Sequence, residues 1–131
     1  MPTALPRLLS FVPLLLLAGC ASAPSGTVAL SDEAECPVTL RPGQKLIVSL
    51  PSNPTTGYRW HAREISGEQL KSLGPEVFSS PKNDLVGGEG ISTWRFQADQ
   101  PGSGRLYLTY ERPWETEGEP AGLFDCRIEV Q

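Results

Sequence analysis

From Cys36 onward the apolar residues of this chain fall at every second position in short runs. Each run is closed by proline, glycine or small polar residues. Cys36, Val38 and Leu40 make one set, Leu46, Val48 and Leu50 the next, and Tyr58, Trp60 and Ala62 a third, with Arg59, His61 and Arg63 facing out. Trp94, Phe96 and Ala98 follow, then Leu106, Leu108 and Tyr110, and last Phe124, Cys126, Ile128 and Val130. A period of two is that of a strand with one buried face, whereas a helix needs spacings of three and four. Arg41-Pro42-Gly43-Gln44 and residues 99–104 carry turn chemistry. Residues 75–80 add a short edge strand around Val77 and Phe78. Only residues 66–74 suggest a helical turn, with Leu70 and Leu73 facing inward. Seven or so short antiparallel strands between turns predict an all-β sandwich of immunoglobulin-like architecture.

The first 35 residues read differently. Arg7 precedes an apolar run from Leu8 to Leu17, broken by Ser10 and Pro13. At about ten residues the run fits an export signal and is too short for a stable membrane anchor. Leu17-Ala18-Gly19-Cys20 is similar to a bacterial lipobox, in which residues 1–19 are removed and Cys20 is lipidated as the new N-terminus. The alternative is an ordinary signal peptide cut near residues 21–23, with Cys20 discarded. Ala21 follows the cysteine rather than aspartate. By analogy with Gram-negative lipoproteins, that points to the outer membrane, facing the periplasm. Residues 20–35 are polar and aperiodic and predict a flexible tether, so the folded domain is expected at 36–131. Removing 19 residues from 131 leaves 112, enough for one core without a metal.

The full chain has 11 basic and 15 acidic residues, a formal charge of −4, and loses one more positive charge with Arg7. It has no basic patch for nucleic acid. Export implies an oxidising compartment. Cys36 and Cys126 share the inward parity of the first and last strands and are expected to pair, two buried free thiols being the alternative. Catalysis is poorly supported. The single histidine, His61, lies on an apparent solvent face without a nucleophile and orienting acid in sight. Ser103 lies between Gly102 and Gly104 without the frame of a nucleophile elbow. No cysteine or histidine spacing suits zinc, and Glu115-Thr116-Glu117-Gly118-Glu119 lacks the calcium-loop pattern. No cofactor is expected.

Three loops carry the remaining chemistry. In Asn53-Pro54-Thr55-Thr56-Gly57-Tyr58 the proline fixes the turn, the threonines offer hydroxyls, and glycine permits a backbone angle other residues avoid. Val86-Gly87-Gly88-Glu89-Gly90 is a glycine-rich loop, and Arg112-Pro113-Trp114 follows a strand ending at Tyr110. The loops at 51–57, 81–90 and 111–122 connect strands so that all three can gather at one end of a sandwich.

NPTTGY, a glycine-rich loop and RPW in this order resemble the chagasin family of cysteine-protease inhibitors, over nearly the whole stretch from Cys36 to Val130. The resemblance implies the same sandwich and, as partner, a papain-like cysteine protease inhibited reversibly and without cleavage. It implies that the Asn53–Gly57 turn enters the cleft, with Thr55 and Thr56 near the catalytic residues and Asn53 and Pro54 shaping the turn. Gly87, Gly88 and Gly90 would lie along the non-primed side. Trp114, oriented by Arg112 and Pro113, would stack on the primed side. Glu89 stands where the family tends to have glycine, a departure that bears on that loop's shape. A monomer that meets the membrane only through its lipid is expected. An envelope lipoprotein inhibiting another enzyme, such as lysozyme, and a purely structural one are the alternatives. Neither needs NPTTG and RPW together.

Overall fold

The structure, a computed structural model, describes residues 3–4, 12–14, 26–80, 89–115 and 117–131. Cys20, Gly87 and Gly88 lie outside them, as does nearly all of the leader. Among the described residues there are nine strands: β1 (Thr27–Leu30), β2 (Val38–Leu40), β3 (Lys45–Ser52), β4 (Arg59–Ile65), β5 (Leu70–Ser72), β6 (Val77–Ser79), β7 (Gly90–Ala98), β8 (Gly102–Glu111) and β9 (Gly122–Val130). They form two sheets. One runs β1-β3-β7-β5, with β6 also pairing β7, and the other runs β2-β9-β8-β4.

The alternation in the sequence becomes the core between the sheets. Leu46, Val48 and Leu50 from β3 and Trp94, Phe96 and Ala98 from β7 face Leu106 and Leu108 from β8 and Phe124, Cys126, Ile128 and Val130 from β9. Each large apolar side chain fully buried this way contributes roughly 1.5–3 kcal/mol of transfer free energy. All are buried, so the fold class is that expected, an all-β sandwich.

Several details differ from the expectation, each for a physical reason. The tether was expected to reach residue 35, but Thr27–Leu30 is already a strand, pairing parallel with β3 from Thr27↔Lys45 to Leu30↔Val48. Leu30 is buried and Val28 packs on the core, a gain that four ordered residues need a neighbouring strand to realise. β2 likewise pairs parallel with β9, so the sheets are mixed rather than wholly antiparallel. The helical turn expected at 66–74 is a single turn, in which Ser66 O accepts from Gln69 N at 3.1 Å and Leu70 N at 2.8 Å, and it leads into β5 with Leu70 buried but Leu73 exposed. β4 is an edge strand whose register shifts between Ala62 and Glu64, and Ala62, although it lies opposite buried Leu108, is exposed on that edge. His61 is half-buried rather than exposed.

Cys36 and Cys126 are joined, with Cα atoms 5.4 Å apart. Cys126 lies on β9 as its parity suggests, whereas Cys36 sits just before β2, capping a 3-10 turn at Glu33–Glu35. The bond ties that turn to the second sheet. Closing a 90-residue loop stabilises the domain by about 4 kcal/mol in the chain-entropy treatment. Alkylation of the unfolded, unreduced domain should therefore leave both thiols unmodified by intact mass, and Cys36→Ser/Cys126→Ser should unfold at lower denaturant than the parent. Two alkylated thiols without reductant would contradict the pairing.

Candidate functional site

The registers place two loops and the start of β7 at one end of the sandwich. β3 and β7 meet at Ser52↔Gly90, so the turn after β3 and the entry to β7 share that end. β4 and β8 meet at Arg59↔Glu111, so the loop leaving β8 is there too.

The turn between β3 and β4 is held by its own chemistry. Pro54–Thr56 forms one 3-10 turn, in which Thr56 N donates to Asn53 O at 3.3 Å and Gly57 N to Pro54 O at 3.1 Å. Gly57 closes it in the left-handed region, at φ 84°, where a side chain is strained. Thr55 Oγ1 donates to Asn53 Oδ1 at 2.6 Å, and Thr56 Oγ1 donates to Asn53 O at 2.7 Å. Both threonines are exposed, and with their protons committed inward they present lone pairs outward. Arg59 Nη1 donates to Pro54 O at 3.0 Å and fastens the turn to β4.

A second set of contacts joins this turn to the loop after β8. The Arg112 guanidinium lies over the Tyr58 ring at 4.3 Å and beside the Trp114 ring at 5.9 Å. Its Nε donates to Thr56 O at 3.1 Å, and its Nη1 to Glu115 at 3.2 Å. A Cβ built on Gly57 would stand 2.1 Å from Cη2 of Trp114, so the indole occupies the space glycine leaves empty. Trp114 nevertheless remains 66% exposed, far from the core position that Trp94 fills. Tyr110 completes the junction. Its ring stacks between Tyr58, at 5.2 Å, and Trp60, at 4.8 Å, and its hydroxyl accepts from Asn53 N at 2.8 Å.

The predicted site residues thus divide. Asn53, Pro54, Thr55, Thr56, Gly57, Arg112, Pro113 and Trp114 lie on two loops in direct contact. Gly90 lies on the same end, but as the buried first residue of β7, where a Cβ would meet the Phe78 ring at 2.4 Å. Close packing against β6, rather than loop shape, is what requires glycine there. Glu89 is exposed beside it. Tyr58 was read from the sequence as a core position closing the NPTTGY motif and Tyr110 as a core position, and their part in joining the loops was missed. A tyrosine at a strand end whose hydroxyl must find a partner is the signal that marks them.

Chemistry elsewhere is of another kind. His61 lines a cleft of about 490 Å³ with Tyr58, Arg63, Glu111 and Arg112, with no cysteine or serine among its lining residues. A wider depression of about 800 Å³ on the outer face of the second sheet is spanned by Arg105, which donates twice to Asp125, at 2.8 and 2.7 Å. Those hydrogen bonds hold the Asp125 carboxyl below its ordinary range and raise the Arg105 guanidinium above its own. Among the described residues no group of His, Cys, Asp and Glu could hold a metal ion.

Known proteins resemble this chain in sequence and in fold. Chagasin of Trypanosoma cruzi is 31% identical over 81 residues, covering 59% of this chain and 73% of that protein. Amoebiasin-1 of Entamoeba histolytica is 27% identical over 100 residues, covering 76% of this chain and 95% of the relative. The crystal structure of EhICP2, a cysteine protease inhibitor of Entamoeba histolytica, superposes with a TM-score of 0.70 at 20% identity, over 84% of this chain and all of that one. The profile of the chagasin family peptidase inhibitor I42 matches residues 39–128, the span that holds both interlocked loops, and the chain belongs to that family of inhibitors rather than enzymes.

Proposed function

We propose that the domain inhibits papain-like cysteine proteases by seating the Asn53–Gly57 turn and Trp114 in the active-site cleft. The observation that carries this is the contact of Trp114 with Gly57, which makes one rigid wedge of two loops while leaving the indole 66% exposed. A wedge already ordered loses little entropy on docking. The outward lone pairs of Thr55 and Thr56 suit a cleft whose catalytic histidine and backbone present N–H donors. The exposed indole suits an aromatic-lined wall, the kind of anchor that dominates an interface. Gly87 and Gly88 would extend the contact along the other wall by backbone approach. A standard protease–inhibitor interface of about 1,600 Å² is the expected size. The turn's carbonyls are taken by Gly57 N, Thr56 N and side chains of Arg59 and Arg112, which holds it in a curled form unlike the extended segment a protease cleaves. Titration against papain and against lysozyme, followed by intact mass of the inhibitor, tests this. Reversible loss of papain activity alone, with the chain uncut, is the expected result.

The same proposal includes a monomer anchored through a lipid on Cys20, in the outer membrane and facing the periplasm. The topology suits it. β1 starts at Thr27 opposite Lys45, the end of β3 remote from the Asn53 turn, so a chain rising from a membrane enters the pole away from the wedge. The six-residue step from Cys20 to Gly26 reaches roughly 20 Å when extended. Growth with labelled palmitate should mark the protein, and Cys20→Ala should abolish the label. An unlabelled, freely soluble product would contradict the anchor.

A further inference from the structure

The Asn53 turn leaves the sheet at a point where the ladder can no longer hold it. The β3–β7 register ends at Ser52↔Gly90, and the next residue, Asn53, has φ −132° and ψ 88°, outside the regular strand and helix wells. Its backbone N–H points away from β7 and donates at 2.8 Å to the Tyr110 hydroxyl, which belongs to the opposite sheet. The tyrosine is itself firmly placed. Its ring is stacked on both faces, by Tyr58 and Trp60, and its backbone O accepts from Ala121 N at 2.9 Å, which closes the loop that carries Trp114. One residue therefore holds the first loop by its side chain and the base of the third by its main chain.

We propose that Tyr110 is the positioning residue of the wedge, its hydroxyl setting the height of the Asn53–Gly57 turn against Trp114. This rests on the inhibitor function proposed above and assigns a role that the exposed contact residues do not have. Because the side chain lies beneath the wedge, it governs how much of the free protein is binding-competent, not which contacts the complex makes. When only a fraction of molecules is competent, the apparent dissociation constant rises in inverse proportion to that fraction. If the two forms exchange quickly, the loss falls on the association rate. A residue that touches the protease, by contrast, is felt in dissociation.

Tyr110→Phe separates the two, since the ring and its stacking remain and only the hydroxyl is lost. The Asn53 amide, followed by NMR hydrogen exchange in the free domain, should exchange at least about tenfold faster. Association with papain should slow about three- to tenfold, the range set by one net hydrogen bond, with dissociation unchanged within about twofold. The control is Tyr107→Phe, whose ring carries Arg105 at 4.5 Å on the outer face, and it should change neither rate. An Asn53 amide as protected in Tyr110→Phe as in the parent would overturn the proposal. So would an unchanged association rate, or a loss confined to dissociation. A parent domain that leaves papain untouched would instead remove the inhibitor function, and the Asn53 exchange rate would still decide whether the hydroxyl orders the turn.

Discussion

Trp114→Ala should weaken inhibition of papain about thirtyfold or more, a loss of roughly 2 kcal/mol, while the domain melts within a few degrees of the parent. The two halves of that expectation come from one number. At 66% exposure the indole contributes little to the core, so its removal leaves Trp94, Phe96 and Phe124 packed as before. The same exposure makes it the largest apolar surface offered by the wedge. Inhibition constants with melting curves on the same preparations check it. A variant that unfolds, or one that inhibits as well as the parent, would remove Trp114 from the interface.

Gly57→Ala should be at least as damaging, and for two separable reasons. The residue sits at φ 84°, where an L side chain costs on the order of 1–2 kcal/mol. The added methyl would also stand 2.1 Å from Cη2 of Trp114, so the ring must swing away from the turn. Strain should appear as lost stability, and displacement of the indole as lost inhibition of about tenfold or more beyond it. The pair is expected to be non-additive. In a Trp114→Ala background the clash has no partner, and Gly57→Ala should then cost only the backbone strain. Inhibition constants for the four proteins of this cycle measure the coupling, and full additivity would show that the ring and the turn act independently.

What the sequence displayed and what it concealed follow from the range of each interaction. The strands Lys45–Ser52, Gly90–Ala98 and Gly122–Val130 could be read because burial of one face imposes a period of two on adjacent residues. Strand direction leaves no such mark, which is why the parallel pairings of Thr27–Leu30 and Val38–Leu40 were not foreseen. The edge strand Arg59–Ile65 misled for another reason: Ala62 keeps the inward parity and lies opposite buried Leu108, but among the described residues no further strand covers that edge and it stays exposed. Leu70 and Leu73, three apart, were both expected inward, but the single turn at 66–70 passes directly into a three-residue strand and leaves Leu73 exposed. At the site, proline and glycine mark turns locally, so both interlocked loops were visible as motifs. Their junction was not. Asn53 to Tyr110, Thr56 to Arg112 and Gly57 to Trp114 each span more than fifty residues, and nothing local in the sequence marks such contacts.

Competition at the catalytic cysteine tests the central claim most directly. Papain saturated with the soluble domain, residues 26–131, would be challenged with a peptidyl reagent that alkylates the active-site thiol. Protection of that thiol, with inhibition competitive against substrate and the domain recovered at its full mass, is the expected result. Alkylation at the rate of free papain, or recovery of a domain cut within 53–57, would contradict a wedge that fills the cleft without being cleaved.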